Sequence, residues 1–362
     1  MEKREYWAWI STVENMYYNK ISRLVESFGS IENVYMASAT KLENKGKMKK
    51  EDVDRILKSK EKFNSDDFFR KLNSNNINFV CIEDLEYPKR LLPYEHKPFF
   101  LYYRGKLPDM DRPIVSIVGA RACSGYGRNM AKMLGEKLSD YGFQFVCGMA
   151  RVIDTFALLG ALNVESATFG VLGCGVDICY PTENIELYEN ILKKGGIISE
   201  YLPGTKPNSW HFPQRNRIIS GISDIVVVVE AKEKSGSLIT VEWALEQGKN
   251  IMAVPGRVGD KLSSGCNRLI KTGAGIVTSE KDILEELKYY VFKEERKINA
   301  EEKILEKEFL MLYSELGLQP KNIYELIEST GLSYEKLVDM LLQLQLKGLV
   351  TQPSYNYYSR LK

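Results

Sequence analysis

From Ile114 to about Tyr290 the sequence alternates short apolar runs with amphipathic helical patterns, and few folds accommodate that alternation. The runs fall at 114–118, 143–147, 168–172, 196–199, 224–229 and 251–254, with helical spacing at 126–141, 154–163, 183–194, 238–248 and 279–290. They are continuously apolar, most plainly Ile225 to Val229, as expected of strands covered by helices on both faces of a parallel sheet. The expected fold is therefore α/β, with a doubly wound, Rossmann-like parallel sheet. Two further strand-like runs, Phe79 to Ile82 and Phe99 to Tyr103, precede the block with no Gly- or Ser-rich linker. They are expected to extend the same sheet.

At 362 residues the chain has room for two or three domains. Residues 1–75 read as a small helical, helix-hairpin-like domain. Ile21, Leu24, Val25 and Phe28 keep helical spacing up to Gly29, and Ser30 is placed to cap the next helix. Residues 76–292 form the expected sheet domain, followed by the charged segment 293–303. The remainder, 298–362, shows helices at 305–316, 322–330 and 333–346 and two wing strands at 348–350 and 355–358. That is the order of a winged helix. The stretch of its last helix, YEKLVDMLLQLQLKG (334–348), has two lysines and a leucine-rich apolar face, which favours a protein contact or a structural role over groove reading.

The composition, 44% hydrophobic and 27% charged with no low-complexity tract, is that of a globular protein. No apolar run approaches the roughly 18 residues of a membrane span, and MEKREYWAWI lacks a signal-peptide core. A soluble, intracellular protein without membrane contact is expected. The six cysteines are scattered, there are two histidines and there is no CxxC pair, so reduced thiols are expected rather than a metal site. Net charge is +2, and any polyanion must therefore meet a local cluster of Lys and Arg.

In sheets of this kind ligands sit beyond the carboxyl ends of the strands. The first strand is followed by Gly119, Arg121, Ser124, Tyr126 and Gly127, and the second by Gly148, Arg151 and Asp154. The third leads to Gly173–Asp177 and Tyr180-Pro181; the fourth leads through a loop to Phe212, Arg215, Asn216 and Arg217. After the fifth come Glu230, Lys232, Lys234, Ser235, Gly236 and Ser237, and after the sixth Pro255-Gly256-Arg257. Glycines, hydroxyls and arginines thus converge on one rim suited to an anion. The first loop is the leading phosphate site, because its free amides and helix dipole face one spot, to which Arg121 and Arg128 add charge. Tyr126, Tyr180 and Phe212 offer ring faces to stacked bases, although each is equally a candidate for core packing. One of Arg215 and Arg217 also suits a structural ion pair.

A dinucleotide site needs G-x-G-x-x-G and an acid near the end of the second strand; the first loop lacks that spacing, and the second strand ends Val146-Cys147-Gly148 with no carboxylate. The chain also lacks a P-loop Gly-Lys-Ser/Thr and a G-x-S-x-G elbow. Two alternatives use the same rim. Ser235-Gly236-Ser237 with Thr240 and Glu242 is distantly similar to the phosphate loop of nucleotide phosphoribohydrolases, with Glu242 as the acid; a nucleotide-binding sensor would need no turnover.

The series GxRxxSxYG (119–127), GMARxID (148–154), LGCGxDxxYPxEN (172–184), SEYxPGTxP (199–207), FPxRNRIISG (212–221), EAxxxSGSLIT (230–240) and AVPG (253–256) closely resembles the DNA-processing protein A family, also called DprA or Smf. The resemblance implies a cytoplasmic bacterial protein that is not an enzyme and needs no cofactor. Such a protein binds and protects single-stranded DNA taken up in natural transformation, dimerises, and helps load a RecA-type recombinase. On this resemblance Arg121 is the leading contact to the DNA backbone, with Phe212 and Arg215 to Arg217 close to the strand. The full expected DNA-binding set adds Gly119, Ser124, Tyr126, Gly127, Gly148, Arg151, Ser235, Gly236 and Ser237. Three positions depart from the family pattern: Val152 for a glycine, Leu158 for a histidine and Thr182 for a lysine. Since valine disfavours a positive φ, the 148–154 loop is expected to be reshaped.

Overall fold

The computed structural model describes residues 1–164, 166–287, 309, 311–317, 319–346 and 349–360. The chain divides into two compact units, residues 1–288 and 289–362.

In the first unit six helices lead into the sheet among the described residues: α1 (Lys3–Ser11), α2 (Tyr18–Phe28), α3 (Ile31–Met36), α4 (Ala39–Asn44), α5 (Lys50–Lys62) and α6 (Ser65–Ser74). Gly29 ends α2 at φ 83°, and Ser30 caps α3 through Asn33 N–H, as the sequence pattern requires. These helices have no core separate from the sheet. Trp7 of α1 stacks on Phe99 at 5.1 Å, and the Ser11 hydroxyl meets that of Tyr102 at 2.6 Å. Residues 1–75 and the sheet therefore pack as one body.

The sheet elements follow as β1 (Asn78–Cys81), β2 (Phe100–Gly105), β3 (Ile114–Val118), α7 (Gly125–Asp140), β4 (Gln144–Cys147), α8 (Ile153–Asn163), β5 (Thr168–Leu172), α9 (Ile185–Lys194) and β6 (Gly196–Ser199). Beyond them lie α10 (His211–Ile222), β7 (Ile225–Val228), α11 (Ser237–Glu246), β8 (Asn250–Ala253), α12 (Ser264–Lys271), β9 (Gly275–Ile276) and α13 (Glu280–Glu286). The strand order is β1-β2-β6-β5-β4-β3-β7-β8-β9. Pairing is parallel from β6 through β9, and β2 joins the β6 edge antiparallel. The chain thus winds outward from β3 to β6, crosses back over α10, and resumes with β7 on the other side of β3. That reversal opens a crevice between the ends of β3 and β7.

The expected strands and their two upstream extensions form, with ends shifted by a residue or so. The segment after β6 differs: the sequence reads as a loop through residue 217, but a helix begins at His211. Pro213 lies in its first turn, where the missing N–H needs no partner, so the Phe-Pro pair does not stop the helix. The short α12 was not expected either.

In the second unit β10 (Lys321–Asn322), α14 (Ile323–Thr330), α15 (Tyr334–Leu346), β11 (Val350–Ser354) and β12 (Tyr357–Arg360) form a winged helix with sheet order β10-β12-β11. Leu312, Leu326, Leu337, Leu341 and Tyr358 make its core. The helix expected at 305–316 lies partly outside the described residues. No helix among the described residues is long and apolar enough to cross a membrane.

Candidate nucleic-acid interface

The crevice at the chain reversal is a cleft of about 660 Å³. Its walls are Gly119–Ala122 from the end of β3, Lys232 and Lys234–Ser237 from the end of β7, and Phe212, Arg215 and Asn216 on α10. A recess of about 50 Å³ adjoins it, lined by Gly148, Arg151 and Tyr180 together with Arg121, Phe212 and Arg215.

Arg121 is exposed, with its guanidinium 6.0 Å from the centre of the Phe212 ring. Among the described residues it has no carboxylate partner. Phe212 stacks on Tyr180 at 5.4 Å and 22°. A Cβ at Gly173 would lie 2.8 Å from Phe212, so that glycine makes room for the ring. A free cation beside a paired aromatic surface offers both a phosphate contact and a stacking face.

The helix N-terminus that lines this cleft is that of α11, where no carboxylate of the described residues sits; the amides of Ser237, Leu238 and Ile239 are taken by Ser235 Oγ and by the carbonyls of Ser235 and Gly236. Gly236 occupies its N-cap without a side-chain cap, and the hydroxyls of Ser235 and Ser237 lie 2.8 Å apart beneath it. Lys232 and Lys234 are exposed beside it. Hydroxyls and lysines at the positive end of a helix together suit a phosphate.

The α7 N-terminus corrects the expectation that it is the phosphate seat. The Glu230 carboxylate occupies it, accepting from Ser124 N–H at 2.8 Å and from the Ser124 hydroxyl at 2.5 Å. That hydroxyl in turn accepts from Gly127 N–H at 3.1 Å. Ser124, Tyr126 and Gly127 do not line the cleft, although Tyr126 is exposed. The helix N-terminus that faces the cleft is therefore the one after β7, not the one after β3.

The arginines of FPxRNR divide by their place on α10. Arg215 is buried at the cleft floor, donating from one guanidinium nitrogen to the carbonyls of Gly148, at 2.8 Å, and Val171. A Cβ on Gly148 would sit 2.6 Å from that guanidinium. Asp154 accepts from Gly148 N–H at 3.0 Å and Ala150 N–H at 3.3 Å. Burial pushes its carboxyl up to about 6, against the opposing pull of Arg215 and these amides. Asn216 lines the cleft and accepts from Arg215 Nε at 3.2 Å. Arg217, two residues further along the helix, is 1% exposed, and one of its terminal nitrogens lies 2.7 Å from both Glu200 oxygens. It does not line the cleft, so it is the structural partner of the pair. On the recess rim Arg151 bonds Glu183 at 2.5 Å, and both side chains are exposed.

The family departures resolve locally. Val152 precedes α8 at φ 72° and ψ −91°, so the loop keeps a glycine-like turn with a β-branched residue in it. That region is strained for valine. Val152→Gly is expected to stabilise the protein by ~1 kcal/mol, net of the extra freedom glycine gives the unfolded chain, read as a higher midpoint in urea denaturation. Leu158 is fully buried in the core, and Thr182 is exposed. Glu242, the acid of the hydrolase alternative, is exposed and does not line the cleft.

Lys232 and Lys234 follow the fifth strand in plain view, but charged loop residues are ordinary and nothing in the sequence singles these two out. Glu230 had a clearer signal: an acid directly ending a strand of five apolar residues has to find donors.

Residues 78–288 match the family model described as DNA recombination-mediator protein A, and residues 299–353 match the DprA winged helix domain. The DNA processing protein DprA of Streptococcus pneumoniae is 41% identical over 211 residues, 58% of this chain and 74% of that protein. Protein Smf of Synechocystis sp. is 33% identical over 289 residues, 79% of this chain and 73% of that protein. The X-ray structure of the Streptococcus pneumoniae protein superposes with a TM-score of 0.69 at 33% identity, covering 79% of this chain and 99% of that one. A structure of DNA processing protein A from Helicobacter pylori, described for its single-stranded DNA binding mode, matches with a TM-score of 0.53 at 29% identity over 58% of this chain and 95% of that one. With the family model covering the sheet from its first strand, and a relative above 30% identity across most of both chains, the chain belongs to the DNA recombination-mediator protein A family, the DprA/Smf proteins.

Proposed function

We propose that this chain binds single-stranded DNA in the cleft between the ends of β3 and β7, without sequence preference and without chemical turnover. The observation that carries this reading is the unpaired Arg121 guanidinium beside the stacked Tyr180–Phe212 pair. A phosphate meets Arg121, Lys232, Lys234 and the Ser235 and Ser237 hydroxyls at the positive end of α11, and a base meets the ring face. Stacking requires an unpaired base, which favours single strands over duplex. Contacts to the phosphate backbone carry no sequence information. The contact set proposed is Gly119, Arg121, Phe212, Asn216, Ser235, Gly236 and Ser237, with Gly148, Arg151 and Arg215 shaping the recess. Family membership supports the wider role: a cytoplasmic homodimer that shields the incoming strand and hands it to a RecA-type recombinase.

The test is a fluorescence-anisotropy titration with oligo-dT and with a matched duplex across a salt series. Oligo-dT is expected to bind at least about tenfold more tightly than duplex, a difference of ~1.4 kcal/mol. Its log K is expected to fall linearly with log salt, by roughly 0.7 for each phosphate neutralised. Equal affinity for duplex, or a flat salt profile, overturns the reading.

A further inference from the structure

The loop between β3 and α7 carries Arg121, and one residue of the adjacent strand end grips it on both sides. The Glu230 carbonyl accepts from Ala120 N–H at 2.7 Å, immediately before Arg121. The Glu230 carboxylate accepts from the amide and hydroxyl of Ser124, three residues after it. Between those anchors Arg121 and Ala122 are exposed, whereas Glu230 is buried. Among the described residues Glu230 has no Lys, Arg or His partner within ion-pair distance. Its charge is met instead by the N-cap amide and hydroxyl of Ser124 and by the positive end of α7. Even Gly127 is shaped to it, since a Cβ there would lie 2.5 Å from Oε2.

We infer that Glu230 is a positioning residue: its carboxylate takes the anion seat at the α7 N-terminus and so holds the loop that aims Arg121 into the cleft. The inference rests on the reading of that cleft as a single-stranded DNA site. An arginine on a free loop keeps its charge but must be ordered when the strand binds, and that ordering weakens the complex. The same carboxylate repels a phosphate from the seat a dinucleotide uses in related sheets, so the strand is left with the α11 seat one strand away.

The experiment compares the full-length wild type with E230A, E230Q, R121A and the double variants E230A/R121A and E230Q/R121A. Oligo-dT affinity is read by anisotropy, and trypsin cleavage at Arg121–Ala122 is mapped by mass spectrometry in the absence of DNA. E230A is expected to lose about tenfold in affinity and to be cleaved faster after Arg121. E230Q keeps one acceptor oxygen and should fall between E230A and wild type in both readouts. In the R121A background E230A should cost less than about twofold more, because coupled residues are non-additive. Losses that multiply in the double variant, or unchanged cleavage in E230A, overturn the inference. Should E230A fail to fold, the near-isosteric E230Q takes its place, alone and with R121A, and multiplying losses or unchanged cleavage there overturn the inference equally. Unchanged affinity in R121A alone would remove the DNA strand from this cleft, and the cleavage assay would still decide whether Glu230 holds the loop.

Discussion

Arg121→Ala is expected to weaken oligo-dT binding by about 10- to 100-fold while leaving the thermal midpoint of the protein essentially unchanged. The affinity loss follows from removing a charge-assisted hydrogen bond to a phosphate, of order 1.5–3 kcal/mol. The unchanged midpoint follows from the surroundings of the residue: Arg121 is exposed, and its side chain meets the edge of the cleft at Phe212. Surface substitutions of this kind usually stay within about 0.5 kcal/mol. Arg121→Lys should be intermediate, because an ammonium keeps the charge but not the planar fork that grips two phosphate oxygens. The salt slope of the alanine variant should also be shallower, by roughly one phosphate contact. An anisotropy titration at two salt concentrations, paired with a thermal melt, reads all three effects. An alanine variant with wild-type affinity would place the strand elsewhere.

Arg217→Ala should do the opposite, destabilising the fold by about 3–5 kcal/mol, the usual cost of removing one partner from a buried ion pair. Arg217 lies over the Tyr18 ring at 4.5 Å as well as bridging both Glu200 oxygens, so it ties α10 to α2 and to the end of β6. Its removal strands a Glu200 carboxylate whose side chain is 13% exposed. The pair is not ideal, since Arg217 Nε is buried without a partner among the described residues, and this lowers its net worth. Total stabilities of roughly 5–15 kcal/mol make such a loss conspicuous. It is checked by urea denaturation followed by circular dichroism, with oligo-dT affinity measured at low temperature on the folded protein. A stable Arg217→Ala protein with lost DNA affinity would contradict the division of roles between the arginines of this segment.

That division shows where reading residues in order stops. In sequence Arg215, Asn216 and Arg217 are three consecutive polar residues shortly after a Phe-Pro pair, and order alone leaves open which arginine is the structural ion-pair partner. On a helix, successive side chains are turned by about 100°. The α10 helix accordingly sends Arg215 and Asn216 to the cleft and Arg217 to its far side. Reading that segment as a loop hides the helix, and with it which arginine takes which role.

The apolar runs, their spacing and the helical periods between them determined the sheet, its parallel core, the added β1–β2 edge and the winged helix, because burial on two faces or one leaves a direct imprint on residue order. The motif series determined the family and put Arg121 at the end of β3. Only the tertiary structure decided which helix N-terminus a carboxylate occupies. Glu230 and Ser124 are 106 positions apart, and their 2.8 Å contact exists because β7 pairs with β3 in register. An anion seat depends on what lies across from it, and the pairing of two strands, which neither strand encodes by itself, closed the seat at α7 and left the one at α11.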